Sequence, residues 1–300
     1  MRFRRNTHTE AGPPRGVYSC VVDADPRFHL EALRWYATLN RVVGVDPAHL
    51  VVHGVGGSET EVLDYLRGRG VKVVDVEAFD ARSPHCNKIS GAVSLARHGV
   101  DGVAVLTDTD MALVEDARLV ALGDNDVGFR PVGSGNPPLH VLEKLFRAAG
   151  VEIPRRVPIE LASKRGERTL SGHGNGGLYT VPGALLPTLA PAWERWARWV
   201  LDHYDLLETW SVFVDQVAMT LALAEGRIHP RTLGLEWNFP TNNPRRIPAR
   251  PPEPAALHYK DNVTAEGLLG PSGSPVVDGR IALANEAIAQ VWTEVFPQRA

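Results

Sequence analysis

Residues 103–113 read Val-Ala-Val-Leu-Thr-Asp-Thr-Asp-Met-Ala-Leu, an apolar run that is interrupted abruptly by two carboxylates. Buried parallel strands are continuous apolar runs, and ligands of open α/β sheets collect at the carboxyl ends of the strands. The stretch therefore predicts a buried strand that delivers Asp108 and Asp110 to a binding site. Carboxylate oxygens favour Mg²⁺ or Mn²⁺ over zinc. An isolated Asp-x-Asp is also typical of a solvated turn, so this motif alone is weak.

Short apolar runs alternate with helical patterns on the N-terminal side of this strand. The predicted strands cover residues 17–22, 50–55, 71–76 and 103–107. Helices are predicted from Pro26, where Asp25 can accept from free amides, and over residues 87–97. Parallel neighbours need a crossover connection, so the alternation predicts an α/β fold with a mainly parallel sheet and helices on both faces.

The alternation loosens beyond Leu113. A strand is predicted at residues 126–130, and loops at 133–138 and 155–168. The glycine-rich segment 171–177 indicates positive φ or a close backbone approach, although a flexible linker has the same composition. A helix with a tryptophan stripe follows, and the chain ends in a predicted helix over residues 281–295.

Two polar positions in the second half are candidate functional residues. The segment 208–223 is predicted to be a buried helix, so its Asp215-Gln216 pair needs partners. A structural hydrogen-bonding role and a catalytic role fit Asp215 equally well at this point. His258 ends the short apolar run 255–259, and a lone histidine of this kind is more often structural than functional.

Composition indicates an ordinary globular chain of 300 residues, 44% hydrophobic and 22% charged. A net charge of −3 gives no global attraction to nucleic acid or to an anionic membrane surface, and neither is expected as a partner. Residues 1–14 carry three arginines and no apolar segment, so they are predicted to be a disordered leader and not a signal peptide or membrane span. Cys20 and Cys86 have no metal-type spacing and are expected to be buried thiols of a cytoplasmic protein.

Six motifs stand in an order that carries a family resemblance. They are Asn87-Lys88, Asp108-Thr109-Asp110, Asn175-Gly176-Gly177, Asp215-Gln216, Trp237-Asn238 and His258. The series resembles the GT-A class of nucleotide-sugar glycosyltransferases, most closely the glycogenin-like and bacterial galactosyltransferase-like enzymes of glycosyltransferase family eight. The resemblance implies a Rossmann-like GT-A domain over residues 15–260, with a nucleotide-binding half (15–113) and an acceptor half (114–260). Residues 261–300 would form a C-terminal loop and helix.

The resemblance also implies a role for each motif. Asp108, Asp110 and His258 would ligate Mn²⁺ or Mg²⁺. The implied donor-binding residues are Asp23, Lys88, Asn175, Gly176 and Gly177, together with Asp108, which would serve in both roles. Asp215 and Gln216 would face the transferred sugar as the catalytic pair. The implied reaction is metal-dependent transfer from a UDP-sugar to an unidentified acceptor, with retention of the anomeric configuration.

Elementary chemistry is consistent with this reaction, because a nucleoside diphosphate leaves readily only when its developing charge is neutralised, as a divalent cation and Lys88 can do. One departure affects the phosphate contacts. Family-eight enzymes usually follow the late histidine with a spaced glycine and lysine, whereas here Lys260 follows His258 closely. In addition, the apolar surroundings of Asp215 would raise its pKa and suit a base, so the residues alone also allow inversion.

Three other classes of protein share part of this pattern. In a haloacid-dehalogenase-like phosphatase Asp108 would be the nucleophile and Asp110 the general acid, but that class places the motif early and follows it with a small hydroxyl residue, where this chain has Ala112. A sugar nucleotidyltransferase needs a glycine-rich basic loop after the first strand, and residues 22–26 are not one. A catalytically silent nucleotide-sugar-binding protein stays open on sequence grounds.

Overall fold

The computed structural model describes residues 15–57, 60–159, 166–243 and 247–299, so the predicted leader lies outside the described residues. The strands and helices are β1 (Gly16–Val22), α1 (Pro26–Ala37), β2 (Leu50–Val55), α2 (Glu61–Gly68), β3 (Lys72–Val76), α3 (Asn87–His98), β4 (Val103–Thr107), β5 (Met111–Leu113), β6 (Asp126–Pro131), α4 (Leu139–Ala149), β7 (Arg156–Pro158), β8 (Arg168–Leu170), β9 (Gly174–Pro182), α5 (Leu186–Asp202), α6 (Val214–Glu225), β10 (His229–Thr232), β11 (Phe239–Pro240), β12 (Ala256–His258) and α7 (Pro275–Val295).

The central sheet has seven strands in the order β10-β6-β9-β4-β1-β2-β3. β1 pairs in parallel with β2 and β4, β2 with β3, and β6 with β10. The predicted mainly parallel sheet is therefore confirmed, with β9 as the exception, since it runs antiparallel to both β4 and β6. Because of that direction, β9 begins at the edge of the sheet where β4 ends.

Both faces of the sheet are covered, which explains why the central strands are apolar throughout. Successive side chains of a strand point to opposite faces. In β4, Val105 joins an apolar cluster with residues of α1, α2 and α7, whereas Ala104 and Leu106 join a second cluster with residues of α3 to α6. Cys20 and Cys86 are buried free thiols, as predicted.

A small second sheet, in the order β11-β12-β5, lies directly after the central strand. β5 continues the chain from Asp110, and β12 pairs antiparallel with it so that His258 lies opposite Met111. β11 pairs in parallel with β12, which aligns Pro240 with His258. This sheet joins the late histidine to the Asp-x-Asp segment.

Several element boundaries differ from prediction. The apolar helix begins at Val214 rather than Glu208, because Glu208 adopts a left-handed φ of 56° that breaks the helical path. The glycine-rich segment 171–177 is not a linker, since β9 already begins at Gly174. The segment 155–168, predicted to be a loop, contains β7 and the first residue of β8, which pair antiparallel, and helix α4 had no predicted counterpart. Among the described residues, none of the helices combines the length and the apolar character that a membrane crossing requires.

Candidate functional site

Three distant segments meet at the carboxyl end of β4. Asp108 follows this strand directly, and its backbone N–H donates to the Gly177 carbonyl at 3.0 Å. The Tyr259 N–H donates to the Asp110 carbonyl at 3.1 Å, which holds the end of β12 against the same turn. As a result, Asp108, Asp110 and His258 each present a ligand atom within 4.8 Å of the others.

The chemistry of this group fits a divalent cation. It offers two carboxylates and one imidazole, a donor set that suits Mn²⁺ or Mg²⁺. Asp110 Oδ1 is buried and has no hydrogen-bond partner among the described residues, although a buried carboxylate oxygen ordinarily needs one. Its other oxygen, Oδ2, lies 3.2 Å from His258 Nε2. A cation bound between these atoms would satisfy both residues.

Lys88, at the start of α3, provides a positive charge between two acidic side chains of the site. Its ammonium forms an ion pair with Asp108, lies 3.2 Å from Asp215 Oδ2 and donates to the Gly176 carbonyl at 3.2 Å. Burial alone would lower the pKa of Lys88, but the two carboxylates outweigh it and raise the pKa above its ordinary value. Lys88 is therefore a permanent cation that lies between two acids.

The two aspartates of the motif have different electrostatic surroundings. Burial raises the pKa of Asp108 despite its contact with Lys88. Burial also acts to raise the pKa of Asp110, but the charge and hydrogen bond of a protonated His258 outweigh it and bring the pKa below the ordinary value. Asp110 is therefore the more readily ionised of the two carboxyl groups.

Asp215 and Gln216 begin helix α6 and face different surroundings. The Asp215 side chain is only 3% exposed and lies against Lys88, and its Oδ1 has no hydrogen-bond partner among the described residues. Gln216 instead lines the cavity of the site. Of the two residues that the resemblance assigned to the transferred sugar, only Gln216 reaches the cavity wall directly.

The glycines of β9 allow a close approach, which is one of the alternatives that the sequence left open. A Cβ on Gly176 would lie 3.0 Å from Asp215 Oδ2, and one on Gly177 would lie 3.0 Å from Asn238 Nδ2 and 3.1 Å from His258 Nδ1. Positive φ is not the reason, because within the segment 171–177 only Gly172, at φ 94°, adopts it. The two glycines are needed for space around the site.

Asp23 lies at the end of β1 on the other side of the site. Its Oδ2 accepts from Asn87 Nδ2 at 3.1 Å, and its backbone carbonyl lies 2.8 Å from His29 Nε2. Asn87 Oδ1 in turn accepts from the Phe79 N–H at 2.8 Å, which fixes the direction of its amide. Asp23, just after β1, and Lys88, in the first turn of α3, therefore line the same cavity.

A cavity of about 620 Å³ opens over these residues, and a smaller one of about 170 Å³ adjoins it. Phe213, Gln216, Asn242, His258 and Lys260 line both, and Asn175 is shared as well. The lysine that seemed too close to His258 in sequence thus still reaches the site, through a left-handed backbone with φ 53°.

Glu31 is a site residue that the sequence analysis missed. It lines the larger cavity and accepts a hydrogen bond of 2.6 Å from the Thr109 hydroxyl. Burial raises its pKa from 4.5 to about 7, with Asp110 adding to the effect. In the sequence Glu31 stands four residues after Arg27 on a helix, a spacing typical of a solvated ion pair, so no local signal distinguishes it.

Comparison with known proteins identifies the sequence family. A family model described as the Rhodobacterales glycosyltransferase domain matches residues 20–226. This range includes the first four of the six motifs and ends before Trp237-Asn238 and His258. No curated protein matches the sequence at a significant level.

Solved structures of similar fold include glycosyltransferases. An active-site mutant of LgtC is 14% identical with a TM-score of 0.53, and the match covers 91% of this chain and 95% of that one. Apo mouse xyloside xylosyltransferase 1 is 14% identical with a TM-score of 0.51, covering 82% and 98%. GlyE of Streptococcus pneumoniae TIGR4 is 11% identical with a TM-score of 0.51, covering 95% and 64%. At these identities the likeness shows the fold, which is of the GT-A type.

Proposed function

The chain belongs to the family of Rhodobacterales glycosyltransferase domains, and from that membership we propose a specific reaction. The protein transfers a sugar from a nucleotide-sugar donor to an acceptor hydroxyl with the aid of a divalent cation, Mn²⁺ or Mg²⁺. The donor is a UDP-sugar, a choice that rests on the resemblance to glycosyltransferase family eight. Family membership favours this activity over the phosphatase and over the catalytically silent binder.

The observation that carries the proposal is the convergence of Asp108, Asp110 and His258 at the floor of the large cavity. These residues would hold the cation. When bound there, it would supply Lewis-acid stabilisation of the negative charge on a leaving diphosphate. The volume of about 620 Å³ lies within the range of small-molecule sites.

Two lysines at the site, Lys88 and Lys260, would have different electrostatic roles. Lys88 is held by Asp108 and Asp215, so it orients the motif as much as it neutralises a ligand. Lys260 is exposed, lines the cavity beside Asp110 and contributes to lowering the pKa of Asp110. We assign the diphosphate contact of the missing family lysine to Lys260. Asp23, at the end of β1, lies where the nucleoside would enter.

The acceptor enters through the smaller adjoining cavity, which meets the larger one at Asn175 and Gln216. A base that takes the acceptor proton must reach that hydroxyl, and an inverting transferase requires one. The Asp215 carboxylate is almost fully buried and paired with Lys88, so it is poorly placed for this task. The arrangement supports retention, with Gln216 facing the transferred sugar.

Thermal denaturation with nucleotides and metal tests the proposal. A ligand that binds the native state raises the melting temperature, so UDP with Mn²⁺ should stabilise the wild type more than either alone. Asp110→Asn should abolish the joint effect, because it removes a charged ligand. Asp101→Asn, an exposed position, is the matched control. No stabilisation by any nucleoside diphosphate with Mn²⁺ would exclude the proposed donor.

Product analysis separates the remaining alternatives. In a transferase, nucleoside diphosphate release depends on an acceptor or on slow hydrolysis, whereas a phosphatase releases inorganic phosphate from simple phosphate esters. A donor that binds but never turns over would identify a silent binder. NMR of the first-formed glycoside gives the anomeric configuration, and an inverted centre would contradict retention.

A further inference from the structure

A chain of side-chain hydrogen bonds connects the backbone of β9 to the histidine of the site. The Gly177 N–H donates to Asn175 Oδ1 at 3.0 Å. Asn238 Nδ2 donates to the same oxygen at 3.0 Å. His258 Nδ1 lies 2.9 Å from Asn238 Oδ1. Three residues far apart in sequence thus form one continuous path.

The direction of every bond in this path follows from its first member. A backbone N–H can only donate, so the Asn175 atom that meets Gly177 must be the oxygen. That oxygen can only accept, so Asn238 must turn its amide nitrogen toward it and its carbonyl oxygen toward His258. A carbonyl oxygen and a carboxylate oxygen both only accept, so a neutral ring can donate either to Asn238 Oδ1 at 2.9 Å or to Asp110 Oδ2 at 3.2 Å, but not to both. The shorter contact favours the proton on Nδ1, because a proton on Nε2 would turn the Nδ1 lone pair toward an oxygen at 2.9 Å that the bond to Asn175 prevents from rotating away.

The protonation of Nδ1 decides what Nε2 can do. With the single proton of a neutral ring on Nδ1, Nε2 carries a lone pair, and it faces Asp110 Oδ2 at 3.2 Å. Two acceptor atoms at that distance are favourable neighbours when both bind the same cation. A histidine that ligates a metal through one nitrogen commonly donates from the other to a fixed acceptor.

The half of the path that reaches the histidine is shielded from water, since the bond between Asn238 and His258 is buried, whereas Asn175 is half buried and lines the cavity. Asn238 is 1% exposed and His258 is 6% exposed. There is no room for a side chain at Gly177, because a Cβ would come within 3.1 Å of both the Asn238 amide and the His258 ring. Buried hydrogen bonds do not compete with bulk water, so the orientation is imposed rather than averaged.

We infer that Asn175 and Asn238 are positioning residues that hold His258 with its proton on Nδ1 and its Nε2 lone pair directed at the cation site. We call this path the amide relay. The inference rests on the proposed function only in assigning a divalent cation to Nε2. The tautomer itself follows from the hydrogen bonds and holds whatever reaction the protein catalyses.

The tautomer can be measured directly. Long-range proton–nitrogen NMR correlation of histidine-labelled protein, treated with chelator at a pH where the ring is neutral, distinguishes Nδ1–H from Nε2–H. The wild type should show Nδ1–H for His258. Asn238→Leu removes the acceptor at similar volume, so the proton becomes free to move to Nε2. Asn175→Asp keeps an oxygen that accepts from both donors and should preserve Nδ1–H.

Metal affinity provides the second readout. Calorimetric titration of Mn²⁺ should show an affinity about 10- to 100-fold lower for Asn238→Leu, the usual effect of removing a residue that orients a metal ligand. Asn242→Leu alters an asparagine of the same cavity and should leave the tautomer of His258 unchanged. Far-ultraviolet circular dichroism establishes that each variant is folded. If Asn238→Leu does not fold, Asn175→Leu breaks the relay one step earlier.

The outcomes separate the relay from the function. A neutral His258 with its proton on Nε2 in the wild type overturns the relay, even if the protein is an active transferase. An unchanged tautomer in folded Asn238→Leu, or in folded Asn175→Leu in its place, overturns it as well. A wild type with the expected tautomer that binds no Mn²⁺ upholds the relay and contradicts the proposed cation site.

Discussion

Replacing Lys88 by methionine tests the charge arrangement at the centre of the site. The substitution keeps most of the apolar length of the side chain but removes the ammonium that lies between Asp108 and Asp215. Asp108 is 30% exposed and can recover solvation, whereas Asp215 is 3% exposed and would be left as a buried anion without its cation. Breaking a buried ion pair in this way costs about 3–5 kcal/mol of unfolding free energy.

Urea denaturation of metal-free protein at pH 7 measures this cost. Asp215→Asn introduced into the Lys88→Met background removes the uncompensated charge, so the double variant should recover most of the loss. Lys144→Met is the control, because Lys144 is half exposed and its contact with Glu208 is 3.9 Å long. That control should change stability by less than about 0.5 kcal/mol.

The reasoning fails if Lys88→Met costs less than about 1 kcal/mol, or if Asp215→Asn gives no recovery in that background. Either result would mean that water reaches Asp215 and that Lys88 is not its essential counter-ion. In that case the charge of Lys88 would be available to neutralise the donor diphosphate. The proposed division of work between Lys88 and Lys260 would then have to be abandoned.

Two further predictions concern the cavity walls. Because burial raises the folded-state pKa of Glu31 from 4.5 to about 7, its contribution to stability is fully present below pH 4.5 and is lost as the pH rises through 7. In metal-free protein above pH 7, Glu31→Gln should therefore be more stable than wild type by about 3 kcal/mol, and pH-dependent urea denaturation that shows no such gain would contradict the burial of the carboxylate. Gly177→Ala should weaken Mn²⁺ binding about 10-fold in calorimetry, since the new methyl group displaces the ring of His258, whereas Gly279→Ala on α7, with nothing within 4 Å, is the matched control. Equal affinities for the two alanine variants would show that the site tolerates the displacement.

The local sequence was sufficient for the strands and for the first part of the site. Residues 103–107 form the predicted buried strand because an apolar run with both faces covered has a recognisable composition. Asp108 and Asp110 lie at its end for the same reason, since their position follows directly from the strand that precedes them. For Gly176 and Gly177 the glycine-rich composition left positive φ, close approach and a flexible linker open, and the structure shows close approach.

Other features depend on which elements become neighbours. The sequence alternation gave a parallel sheet, but nothing in residues 174–182 indicated that β9 would run antiparallel next to β4. The sequence around Glu31 is typical of a solvated helix face. Glu31 is nevertheless buried, because in the folded protein α1 lies beside Thr109 at the wall of the cavity. The start of α6 at Val214 likewise depends on the positive φ of Glu208. Positive φ is usually predicted from glycine, and this position is a glutamate, so the sequence did not indicate it.

By itself the sequence determined that a strand carries two aspartates to the edge of a mostly parallel sheet, and a resemblance supplied the late histidine as their companion. Only the tertiary structure decided that His258 lies 3.2 Å from Asp110, across 148 positions of chain. The register between β5 and β12 fixes that distance. Asn175 and Asn238 then determine, by the inference above, which ring nitrogen of His258 carries the proton. Strand composition is a local property that side-chain burial imposes, whereas register and hydrogen-bond direction arise when distant segments pack together.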